Sequence, residues 1–235
     1  MTSAASEPQP DVAQAPSAPR PGRPAPPERF GALLLLLIAT YLVSAFTTGS
    51  LIDAAQIVLF VGTLLLALRN SQAPKWTARL TVGVVLAGSA AAFGIALTGP
   101  SEDAVGGAQI WAGLVLLAAA VAIVHRVLAN NTVTLQSIYG ALSAYIIIGL
   151  MFAAFYGAMN RLGGGPFFAD HQPGNTRTFQ YFSFTTLTTL GYGDFTAASN
   201  AGRAVAVMEA LFGQVFLATL VARLVAAFRP ADRRQ

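Results

Sequence analysis

Long, nearly uncharged apolar blocks constrain this chain more than any other feature. They run roughly over 31–47, 51–69, 77–98, 106–128, 133–158 and 201–228. An α-helix needs about 20 apolar residues to cross the hydrocarbon core of a bilayer. Inside a lipid phase only helices and closed barrels satisfy every backbone N–H and C=O. Blocks of this length, without strict alternation, select helices. The composition agrees: 54% of the residues are hydrophobic and 10% charged, against about 25% charged in soluble domains. The expected fold is an all-α membrane protein with six transmembrane helices. The first two blocks are joined by Thr47-Thr48-Gly49-Ser50. They form either a helical hairpin with a tight turn or one bent, re-entrant segment.

The basic residues give the expected orientation. With both termini cytoplasmic, the inner segments hold Arg20, Arg23, Arg29, Arg69, Lys75, Arg79, Arg126, Arg223, Arg229, Arg233 and Arg234, and the outer segments hold only Arg161, Arg177 and Arg203. The positive-inside rule predicts this bias, and an odd number of spans would spoil it. The charges sit at the ends of apolar blocks. The net charge of +4 therefore reads as membrane orientation, and no nucleic-acid partner is expected.

Residues 1–30 are rich in Pro, Ala, Ser and Gln and read as a disordered cytoplasmic tail. No cleavage pattern follows Phe46, so the first block reads as a span and not as a removed signal peptide. There is no cysteine, which excludes disulfides, cysteine zinc sites and thiol catalysis. His125 and His171 lie far apart in sequence without metal-ligand spacing and read as surface histidines. No nucleophile–base pair stands out, so no enzyme activity and no cofactor are expected.

The chemistry lies between the fifth and sixth blocks. A polar, Gly-rich stretch from Asn160 to Arg177 leads into a short apolar one, and the loop ends in Thr186-Leu187-Thr188-Thr189-Leu190-Gly191-Tyr192-Gly193-Asp194. Residues 178–188 are too short to span but suit a re-entrant helix buried in protein. From Leu135 to Phe228 this segment resembles the pore-loop potassium channels of prokaryotes. The match rests on Thr189, Gly191, Tyr192, Gly193 and Asp194, with Leu190 where valine is commoner. The order of outer helix, pore helix (178–188), filter (189–193) and inner helix (201–228) also matches.

The resemblance implies a homotetramer whose four loops surround one axis, with K+ as the permeant ion and membrane lipid as the other partner. A potassium ion exchanges its water shell for rings of backbone carbonyls. Carbonyls can be aimed at one axis only if the backbone alternates in handedness, and Gly191 and Gly193 allow this. Thr189, Leu190, Gly191, Tyr192 and Gly193 are the expected ion ligands, with the Thr189 hydroxyl adding a lower ring. Leu190 and Tyr192 are expected to point away from the axis. Tyr181, Phe182, Thr185 and Thr188 are expected to support them. Asp194 faces the outer mouth, where Arg203 is a candidate partner.

In the sixth block the same alignment places Gly213 at the hinge position of the family's inner helices; the other reading is a small residue that permits close packing. Gln214, Leu217, Val221 and Val225 form one helical stripe, expected to line the cavity and inner gate. Glu209 is the only acid in the interior of an expected span, Asp53 lying at an outer end. It lies one turn before Gly213, and either anchors the pore helix through Ser183 and Thr185 or lines the pore.

Residues 31–130 read as a four-helix membrane module without a voltage sensor, or with a degenerate one. A sensor needs several arginines at every third position, and the fourth block has Arg126 alone. Residues 229–235 read as a short cytoplasmic tail, and no C-terminal ligand-binding domain is expected. Ala- and Arg-rich usage points to a bacterial plasma membrane (the inner membrane). The alternatives to a potassium channel are a weakly selective cation channel and a non-conducting regulatory subunit.

Overall fold

A computed structural model describes residues 30–46, 83, 86–88, 90, 94, 101–129 and 133–227. The second and third expected spans, the turn at 47–50, residues 1–29 of the N-terminal tail and the C-terminal tail lie outside these residues, apart from a few helical positions between 83 and 94. Phe30, expected to end the disordered tail, is instead helical and buried. Five helices are described: α1 (Phe30–Phe46), α2 (Glu102–Ala129), α3 (Leu135–Leu162), α4 (Thr176–Leu187) and α5 (Asn200–Ala227). Among the described residues the one β element is an isolated bridge between Phe168 and Ala197.

Three of these helices, α2, α3 and α5, are long and apolar enough to cross a membrane. α1, at 17 residues, is apolar but shorter. Each of the long helices has 28 residues, or about 42 Å at 1.5 Å per residue. That length exceeds the roughly 30 Å hydrocarbon core.

α3 is the central element. α2 lies antiparallel along it, and the two approach closely because glycines on each helix face large side chains on the other. Gly106 sits under Leu162, Gly113 under Phe155, Gly157 under Gln109 and Gly140 under Val127. In lipid, where apolar side chains gain nothing by leaving solvent, such small-residue contacts drive helix association through van der Waals packing. At one end, Arg161 of α3 also pairs with Glu102 of α2.

α1 packs on another face of α3, and its sequence shows why. Phe30, Leu33, Leu37, Thr40 and Ser44 recur every three or four residues and are all buried, while Leu35, Ile38 and Leu42 on the opposite side are exposed. The Phe30 N–H donates to Gln136 Oε1 at 3.1 Å, and Tyr41 meets Phe184 of α4 edge-on at 5.0 Å. α1 thus runs parallel to α3, and α2 antiparallel.

α5 is different. Only 11% of its most apolar window is buried, and Val207, Leu211, Phe212, Val215, Val221 and Val225 are exposed. An apolar helix uncovered to this degree must meet lipid or further protein.

Candidate functional site

The site is built from the loop between α3 and α5. α4 begins two residues before the expected start because Asn175 caps it. Its side chain accepts from the Arg177 and Thr178 N–H groups at 3.0 and 3.1 Å, and Thr178 Oγ1 accepts from the Asn175 N–H at 2.9 Å. This reciprocal capping box satisfies the otherwise orphaned donors of the first turn. α4 ends at Leu187, one residue short of the expected boundary, and Thr188 forms its C-cap.

An aromatic cluster fixes the rest of the loop. Phe167, Phe168, Phe179 and Phe182 are buried beside Tyr156 of α3, with ring centroids about 5–6 Å apart. The Ala169 N–H donates to Thr196 O (2.9 Å) and the Ala198 N–H to Phe167 O (2.8 Å). These bonds tie the stretch before α4 to the stretch after residue 194. The expectation of a polar, Gly-rich start to this loop thus omitted its apolar anchor.

After α4 the chain turns back through residues 188–194. Thr189, Gly191 and Gly193 have φ of +57°, +51° and +81°, and neither Leu190 nor Tyr192 has a positive φ. Every second residue is left-handed, the alternation that turns successive carbonyls toward one side. Glycine enters this region freely, but a β-branched residue there is a genuine outlier. Thr189 is held in place by its neighbours. Its N–H donates to Thr186 O at 2.9 Å, its Oγ1 donates to Thr188 O at 2.7 Å, and Gln214 Nε2 of α5 donates to its Oγ1 at 3.2 Å. Thr185 supports the turn through its backbone: its carbonyl accepts from the Leu190 N–H at 2.8 Å and the Gly191 N–H at 3.2 Å. Thr188 Oγ1 donates to Phe184 O at 2.6 Å.

Leu190 and Tyr192 are 56% and 68% exposed in the single chain, so the packing expected behind the axis is not made within one copy. Tyr181 and Phe182 face different ways, as consecutive helical residues must. Tyr181 donates its hydroxyl to Asp194 Oδ2 at 2.8 Å, a bond that pushes the phenol up to about 12. Phe182 points instead into the aromatic cluster against Tyr156. Arg203 does not reach Asp194: its Nε donates to Ala197 O at 3.0 Å. Gln172, which the sequence reading passed over, donates to Asp194 O at 2.6 Å.

α5 meets α4 along two successive turns. At the first, Glu209 is fully buried, with Ser183 Oγ of α4 at 2.5 Å and the Tyr156 hydroxyl of α3 at 2.6 Å. Thr185 is not part of this group, because its Oγ1 donates to Phe182 O at 3.0 Å. At the second turn, a Cβ on Gly213 would stand 2.3 Å from Leu187 O. That carbonyl also accepts from the Tyr145 hydroxyl at 3.1 Å. Gly213 is thus a close-packing position, and α5 continues as a helix through it. Gln214 lies next to Thr189; Leu217 is half-buried, and Val221 and Val225 continue along α5 as exposed residues. Tyr156, Tyr145 and Gln172 were missed by sequence reasoning. For the two tyrosines the signal was a polar tip on an aromatic residue inside an apolar block; Gln172 lies in a polar loop and carried none.

Among the described residues no cluster of His, Asp and Glu could hold a metal ion. The arrangement offers instead a row of backbone carbonyls at the end of a buried short helix, with a carboxylate, Asp194, at one end and an amide, Gln214, at the other.

No curated protein and no solved structure matches this chain. Residues 140–229, which take in most of α3, all of α4, the turn at 188–194 and α5, match the family model described as an ion channel. Together with the three apolar helices, this match supports a membrane protein that carries an ion-channel domain.

Proposed function

We propose that this chain is one subunit of a homotetrameric potassium channel, with the backbone carbonyls of Thr189, Leu190, Gly191, Tyr192 and Gly193 as its K+ ligands. One observation carries the reading: left-handed backbone at Thr189, Gly191 and Gly193, alternating with ordinary backbone at Leu190 and Tyr192. Such alternation costs about 1–2 kcal/mol at a non-glycine residue and is hard to explain in a surface turn. It is the backbone needed to replace the hydration shell of a cation with successive carbonyl rings.

One chain supplies only one face of such a ring. Four copies around an axis close it, as cyclic symmetry commonly does in homo-oligomers. The exposure of residues 188–194 and of α5 fits an axis and subunit contacts on that side. In this arrangement Gln214 stands at the inner end of the filter and Asp194 at its outer mouth. Leu217, Val221 and Val225 continue the path toward the cytoplasm. Both termini are cytoplasmic, and the membrane is the bacterial inner membrane.

The test is ion flux. Purified protein in liposomes should pass K+ in preference to Na+ and be blocked by barium. Equal passage of Na+ would replace this reading with a weakly selective cation channel. Passage of neither ion would replace it with a non-conducting subunit.

A further inference from the structure

Glu209 is the one acid in the described spanning helices away from their ends, and it is fully buried. No cation among the described residues makes an ion pair with it. The titratable side chains near it are Tyr156, which bonds to it directly, and Tyr145, both from α3. An ionised carboxylate in such a place is costly unless it is paired.

The hydroxyl protons decide its state. Ser183 Oγ lies 2.5 Å from Glu209 Oε1 and 2.7 Å from Gly149 O. A serine hydroxyl has one proton to donate. The carbonyl of Gly149 can only accept, so the short contact to it requires the Ser183 proton. The contact between Ser183 Oγ and Glu209 Oε1 then needs a proton of its own, and only the carboxyl can supply one. Tyr156 meanwhile donates to Oε2 at 2.6 Å. All three contacts are satisfied by one assignment: Oε1–H donates to Ser183, Ser183 donates to Gly149 O, and Tyr156 donates to Oε2. An ionised Glu209 leaves two oxygens 2.7 Å apart with no proton between them.

We infer that Glu209 carries a proton and serves as a neutral donor–acceptor pin joining α3, α4 and α5. The pin sits one turn from the Gly213–Leu187 contact, so the two fix α4 against α5 just before the chain turns into residues 188–194. Glu209 is then a positioning residue for the filter. That role rests on the channel reading; the proton does not.

The test separates the two. Infrared difference spectra of the full-length protein in lipid at neutral pH, wild type against Glu209→Gln, should show a protonated-carboxyl C=O band lost in the variant. Tyr156→Phe, which removes the bond to Oε2, should move that band to higher frequency. Absence of any Glu209-dependent acid band overturns the inference, whether or not the protein conducts. The positioning role is read by rescue. Glutamine has the same shape, donating to Ser183 and accepting from Tyr156, and should keep K+ flux near wild type. Glu209→Leu, which leaves the Tyr156 hydroxyl without its acceptor and removes the donor to Ser183, should lower it at least about tenfold. Equal flux in Glu209→Leu and wild type would overturn the positioning role while leaving the channel reading intact.

Discussion

Replacing Gly213 by alanine separates a hinge from a packing contact by the sign of a stability change. The new Cβ would stand 2.3 Å from the Leu187 carbonyl oxygen and 3.0 Å from Leu187 Cδ1. The carbonyl contact is roughly 1 Å shorter than van der Waals packing allows. No rotamer change relieves it, because the obstacle is backbone. Either α5 moves away from α4 or the Leu187 peptide rotates, and the latter also loses the 3.1 Å bond from Tyr145. Overpacking of this kind costs about 1–3 kcal/mol, toward the upper end against backbone. Alanine regains about 1 kcal/mol of helix propensity over glycine. The net expectation is a loss of about 1–2 kcal/mol, with weaker K+ selectivity because Thr189 follows two residues later. Reversible unfolding in mixed micelles, followed by circular dichroism, reads the first quantity and liposome flux the second. A variant stabilised by about 1 kcal/mol would show that Gly213 faces open space and would refute the contact.

Three further outcomes follow from the same geometry. The Tyr181 phenol should ionise near pH 12 and move back toward the ordinary tyrosine range in Asp194→Asn, as followed by ultraviolet absorbance. Because the folded value is raised, the stabilisation from this bond is present below about pH 10, the usual tyrosine value, and is lost as the pH climbs toward 12. Gln214→Leu removes the 3.2 Å bond to Thr189 and should raise relative Na+ permeability, measured as a reversal-potential shift, with little change in assembly. Glu102→Gln should change stability by less than about 1 kcal/mol, since its side chain is 73% exposed in the pair with Arg161; a larger loss in the unfolding titration would mean that the pair is shielded in the assembled protein.

Residues whose role is set by covalent chemistry were legible in the sequence. Gly191 and Gly193 could be read because only glycine enters left-handed backbone freely, and Gln214 because it is a polar residue on an otherwise apolar stripe. The start of α4 was also readable, in the Asn175-Thr176-Arg177-Thr178 capping pattern, but hydrophobicity alone placed it later. Packing direction was not legible. Tyr181 and Phe182 look alike as neighbours, yet one meets Asp194 and the other the aromatic cluster. Arg203 is closer in sequence to Asp194 than Tyr181 is, but its guanidinium is directed to Ala197. Tyr156 lay hidden in an apolar block, since nothing local says which hydroxyl inside a span will find an acid 53 residues later. The burial of α1 against α3 was likewise beyond the residues themselves: its stripe announces a partner but not which one.

The central claim is ion selection by the backbone of residues 189–193. Its most direct test is the reversal potential of purified protein in a planar bilayer with K+ on one side and Na+ on the other. The account predicts a potential close to the K+ equilibrium value, abolished as a selective current when Gly191 is replaced by alanine. A current reversing near zero in the wild-type protein would contradict it.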